Sequence, residues 1–129
     1  MADNWYTGNA TDDAPAHRGW ILGHFMDPGG APVRATPALE IKWGEHLAGE
    51  ERAGWTTGED RSTLVLLVSG RFRIDLTVGS TTLEKCGDYI TWGPGIGHCW
   101  QAEENSVVLT VRWPSIPATG SASSSSHSE

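Results

Sequence analysis

A chain of 129 residues, 38% hydrophobic and 19% charged, can bury one core and is too short for two. Sixteen acidic residues against nine basic ones give a formal charge of −7, and the basic residues are scattered, with Arg71 and Arg73 the only close pair. This excludes a basic face able to meet a nucleic-acid backbone, and the longest aliphatic run, residues 64–68, is far too short to span a bilayer.

Residues 1–16 read as a loose leader without a basic segment followed by an apolar one, so no signal peptide is expected and a cytoplasmic location follows. A first strand is expected at 18–25, before the turn signal Asp27-Pro28-Gly29-Gly30. In 38–47, Leu39, Ile41, Trp43 and Leu47 share one side, while Glu40, Lys42 and His46 share the other. Residues 62–69 are apolar on both faces, as a central strand would be. In 71–76, Phe72, Ile74 and Leu76 point inward and the charges outward. Further strands are expected at 81–84, 88–92 and 98–102. The last, 106–113, carries Val107, Leu109, Val111 and Trp113 on its apolar face and Ser106, Val108, Thr110 and Arg112 on the other.

Many short strands without a helical period indicate an all-β sandwich or small barrel over residues 17–117. Residues 118–129 (ATGSASSSSHSE) form a Ser-rich tail with no core-forming residue, expected to be disordered. Cys86 and Cys99 fall several rungs out of register across the 88–92 and 98–102 hairpin, too far apart for a disulfide, and two free thiols suit a reducing compartment.

The segment GPGIGHCW, residues 93–100, concentrates turn chemistry immediately before His98. Gly87, DYITW, Gly95 and His98 fall on the spacing of the second cupin motif. Gly93 stands in its proline slot, with Pro94 one position late, and Ala102 in its final Asn slot. Anchored on Gly70, the first cupin motif places Thr57 and Glu59 in its histidine slots and Thr63 in its glutamate slot. Over residues 38–113 the chain therefore resembles the cupins. The resemblance implies a double-stranded β-helix barrel (a jelly-roll sandwich) with His98 turned into its cavity, a small-molecule ligand and a homodimer.

Cupins commonly hold a divalent metal, which takes three or four imidazole, thiolate or carboxylate groups. The motif positions supply one imidazole, His98, and one carboxylate, Glu59; His46 or Glu40 would have to complete a shifted site. A resident metal is accordingly disfavoured, and acid–base chemistry by His98 with Glu59 orienting its ring is the first expectation. Seven tryptophans exceed the usual need of so small a core, so Trp43, Trp92 and Trp100 are expected to wall the ligand cavity. Lys42, Arg112 and Thr57 would meet polar groups of the ligand. The functional expectation is an isomerase, cyclase or lyase acting on a small organic metabolite. A dioxygenase-like cupin with a rebuilt ligand set and a non-catalytic binding or sensor cupin are the alternatives.

Overall fold

The computed structural model describes residues 5–29, 32–56 and 58–116. It contains a one-turn helix, α1 (Ala10–Asp13), followed by a 3-10 turn at Ala14–His17 and, later, another at Pro32–Arg34. The nine strands are β1 (Trp20–Leu22), β2 (Glu40–His46), β3 (Glu51–Arg52), β4 (Ser62–Ser69), β5 (Phe72–Leu76), β6 (Gly79–Leu83), β7 (Tyr89–Trp92), β8 (His98–Ala102) and β9 (Ser106–Trp113). One sheet has the order β1-β2-β9-β4-β7 and the other β3-β8-β5-β6. Every expected strand is present; only the two-residue β3 was not foreseen. Within the expected leader, Asn9 caps α1 by accepting the Asp12 N–H at 3.2 Å. The Ser-rich tail, 118–129, lies outside the described residues.

Contacts divide the chain into a terminal unit, Met1–Trp43 with Val111–Glu129, and a central unit, Gly44–Thr110. In the central unit the period-two pattern works as the residues dictate. Phe72 and Ile74 are buried together with Val65, Leu67, Leu83, Trp92, Ala102 and Val108, and Leu76, Ile90, Ile96 and Trp100 pack against them. Strand β5 pairs with β6 and β8 on its two sides, so Ile74 lies opposite both Thr81 and Trp100. Antiparallel pairing of β4 with β7 sets Thr63 opposite Trp92 and Val65 opposite Ile90.

In two strands, whose inner face the sequence leaves open, the polar phase is the one buried. In β2, Glu40 and Lys42 are buried, Ile41 and Trp43 are only half-buried, and Leu47 just beyond is 64% exposed. In β9, Ser106, Val108, Thr110 and Arg112 are buried, while Trp113 is exposed. In β9 the buried phase includes Val108 of the central core, while Glu40, Lys42 and Arg112 are buried in the terminal unit. Glu40 and Arg112 neutralise each other, which removes most of the cost of burying either. The N-terminal segment supplies a second cover, so Ile21, Leu22 and Ile41 face Trp5, Tyr6 and Ala10 around a cavity.

Both cysteines are free; Cys86 is exposed and Cys99 buried. Burial, and next to it the Asp75 carboxylate, pushes the Cys99 thiol up. Since the thiolate is the nucleophile, a maleimide at neutral pH is expected to modify one thiol rapidly and the second only after denaturant is added. Two equal fast phases in native protein would contradict this burial.

Candidate functional site

The turn at 93–97 is closed by a loop that lies directly on it. The Gly95 N–H donates to the Glu59 carbonyl at 2.9 Å, and the Thr56 N–H donates to the His98 carbonyl at 2.9 Å. Two glycines make this approach possible. A Cβ on Gly58 would come within 2.5 Å of the Gly95 backbone, and one on Gly97 would collide with the Thr56 carbonyl oxygen. The glycine run of the sequence thus serves a backbone-to-backbone contact as well as a reversal between β7 and β8.

That contact fixes His98. The imidazole is 8% exposed and lies in the same strand phase as Trp100 and Ala102, the core-facing side of β8. The Thr56 hydroxyl oxygen accepts the His98 backbone N–H at 2.9 Å and sits 3.0 Å from the ring Nδ1. The hydroxyl can donate to Nδ1 or accept from it, and either way Thr56 holds that nitrogen. The ring also packs against Trp92, with centroids 4.9 Å apart. On β4 the same inner phase runs Thr63, Val65, Leu67, and Arg61 precedes it in step. Arg61 is buried and pairs through Nε with Glu59 at 3.1 Å, while Glu59 itself is about a third exposed. His98, Thr56, Thr63 and the Arg61–Glu59 pair give the central core a polar end.

The remaining expected site residues fall elsewhere. His46 pairs with Glu50 at 3.2 Å and packs on Trp100 and Phe72, with centroids 4.5 and 5.5 Å away. Trp100 is stacked on Phe72 at 5.0 Å, so its indole serves the core of the central unit. Trp43 is half-buried in the terminal unit, and Thr57 lies outside the described residues. Lys42 and Arg112 are buried in the terminal unit, both over the Trp20 ring at 5.6 and 4.8 Å. Arg112 Nε donates to Glu40 Oε2 at 2.7 Å, and Nη2 reaches the same oxygen at 2.6 Å. The other carboxylate oxygen accepts from Ser115 at 2.8 Å, and Ser115 Oγ lies 2.7 Å from His24 Nδ1. The Arg112 guanidinium thus already has an internal carboxylate.

Thr56, Arg61, Ser115 and the partnership of Glu40 with Arg112 were not singled out from the sequence. Arg61 alone left a usable signal: it is two residues before Thr63, in phase with Val65 and Leu67. The others depend on pairing across 42 to 75 positions of chain.

Comparison with protein-family models and with curated proteins finds no match. Solved structures do match. KdgF from Halomonas sp. is 22% identical, with a TM-score of 0.55 over 61% of this chain and 72% of that one. A cupin superfamily protein from Desulfitobacterium hafniense DCB-2 is 16% identical, with a TM-score of 0.53 over 59% of this chain and 67% of that one. A point mutant of salicylate 1,2-dioxygenase from Pseudoaminobacter salicylatoxidans is 24% identical, with a TM-score of 0.52 over 59% of this chain. The match spans only 21% of the dioxygenase.

This chain has the cupin fold.

The expected all-β jelly-roll barrel is therefore the architecture found. The metal that a cupin fold commonly implies does not fit the donors present. At the motif positions stand Thr57, Glu59, Thr63 and His98, a single imidazole and a single carboxylate, and Glu59 is engaged by Arg61. Among the described residues no cluster of three or more His, Cys, Asp or Glu side chains is placed to hold a metal ion, so His98, Glu59 and His46 do not converge as one. No helix among the described residues is long and apolar enough to cross a membrane.

Proposed function

We propose that this chain binds a small organic metabolite at the polar end of its central core and catalyses proton transfer on it, as in isomerisation, cyclisation or dehydration. The observation that carries the reading is the setting of His98. A buried imidazole, held at Nδ1 by Thr56 and faced by Trp92, supplies a group that can give and take a proton. Arg61, balanced by Glu59, offers a cation to an oxyanion formed on the substrate. Glu59 acts on the electrostatics of Arg61 in this scheme.

Tryptophan fluorescence against a metabolite panel finds the ligand, because Trp92 touches the His98 ring. His98→Ala is then expected to bind that ligand within a few-fold of wild type and to lose roughly 10²- to 10⁴-fold in turnover. Binding with no turnover in either protein would favour a non-catalytic sensor. That second reading rests on Thr56, whose two contacts to His98 would equally serve to lock a binding loop.

The reading includes a homodimer in a reducing compartment. β1 lies at an edge of the five-stranded sheet, where a second copy would add, and both thiols are free. Sedimentation giving the monomer mass at all concentrations would remove the dimer.

A further inference from the structure

The terminal unit contains a cavity of about 430 Å³ that involves none of the residues of the His98 site. Its apolar wall is made by Trp5, Tyr6, Ile21, Leu22, Val33 and Ile41, so β1 and β2 form the floor and the N-terminal segment one side. Two charged residues, Asp13 and Arg34, complete it. Asp13 is occupied, since its Oδ2 accepts the Tyr6 hydroxyl at 3.1 Å.

Arg34 is held by three contacts and is short of a fourth. Its carbonyl accepts the Gly23 N–H at 3.0 Å, and its Nε donates to the Ile21 carbonyl at 3.0 Å. Its guanidinium carbon lies 4.5 Å from the centroid of the Tyr6 ring, a cation–π stack. The terminal Nη2, however, is buried with no hydrogen-bond acceptor among the described residues. A buried guanidinium nitrogen left without an acceptor is costly, and native structures rarely retain one without a ligand, ion or function to explain it. This one occurs in a chain of net charge −7, where carboxylates are abundant and would have been an easy partner.

We propose that this cavity is a second ligand site, specific for a small monocarboxylate with an aromatic or aliphatic body. The volume falls within the range of small-molecule pockets, and six apolar residues around one positioned cation is the composition of a site for an organic acid. On binding, the Arg34 guanidinium, which lines the cavity, turns Nη2 to the carboxylate, and the apolar body lies between Tyr6 and the Ile21–Ile41 floor. An Arg–carboxylate bond is charge-assisted, so the charge of the ligand contributes heavily to affinity. The site does not depend on His98 or on any reaction there.

Titration calorimetry with phenylacetate, with neutral phenylacetamide as the matched control, tests the assignment on the full chain. Wild type is expected to bind phenylacetate at least roughly tenfold more tightly than the amide. Arg34→Met is expected to fold with an unchanged circular dichroism spectrum and to lose that preference. Arg34→Lys, which keeps the charge without the fork, should retain part of it. His98→Ala should bind phenylacetate as wild type does, which separates this site from the central one. Equal binding of acid and amide, no binding at millimolar concentration, or loss of binding in His98→Ala would each overturn the proposal. So would carboxylate-independent self-association that Arg34→Met abolishes, which would make the cavity a contact between copies. If Arg34→Met does not fold, Ile41→Trp, which fills the cavity from its floor, should abolish binding; retention there overturns the proposal as well.

Discussion

Glu40→Ala is expected to destabilise the protein by about 3–5 kcal/mol, the range for removing one partner of a buried ion pair. Glu40 is 1% exposed and Arg112 4%, so the guanidinium left behind has no solvent to replace its carboxylate. The Ser115 hydroxyl would lose its acceptor in the same step. Replacing the pair tells a different story. The double variant Glu40→Met with Arg112→Met should lie within about 2 kcal/mol of wild type, because exchanging a buried ion pair for apolar side chains of similar volume is often neutral or stabilising. Urea unfolding of both single variants and the double variant measures this directly. If Glu40→Ala were no less stable than the double variant, the pair would not be the electrostatic unit that its 2.6 and 2.7 Å contacts indicate.

Gly97→Ala is expected to cost about 1–3 kcal/mol by overpacking and to disable the central site at the same time. The added methyl would occupy the place of the Thr56 carbonyl oxygen, a backbone atom that cannot rotate away. Relieving the clash moves Thr56 off the turn and breaks its contacts to His98. Thermal unfolding would report the first effect and the ring-proton resonances of His98 the second. A Gly97→Ala protein with wild-type stability and an unshifted His98 spectrum would show that the loop and the turn are not coupled. Thr56→Val is the milder comparison, since it removes both hydrogen bonds to His98 while leaving the loop backbone in place.

The strands were readable because each is a local pattern. Alternation in 71–76 put Phe72 and Ile74 in the core without any knowledge of their partners, and the run 62–69 reported its central place through apolar residues on both faces. Alternation sorted 38–47 and 106–113 into two faces but could not choose the inner one, and the polar phase is the one buried. Glu40 and Arg112 are 72 residues apart, and nothing in either strand announces that each carries the counter-charge of the other.

The candidate site divides along the same line. His98 was legible through its glycine-rich turn and its step with Trp100, and it does lie on the core side of β8. Its hydrogen-bond partner was not, because Thr56 reaches it only where two loops close on Gly58 and Gly97. Glu59 was expected beside His98, and the ion pair formed is with Arg61.

What the amino-acid order determined alone is the set of strands, the turns between them and the cupin resemblance, since period-two patterning and glycine placement act over a few residues. Tertiary structure decided which polar groups are buried together: Glu40 with Arg112 and Ser115, Thr56 with His98, and Arg34 beside an apolar cavity with one donor unmet. The reason is electrostatic. Whether a charge can leave water depends on what stands within about 3 Å of it, and that distance is set by the folded chain rather than by neighbours in sequence.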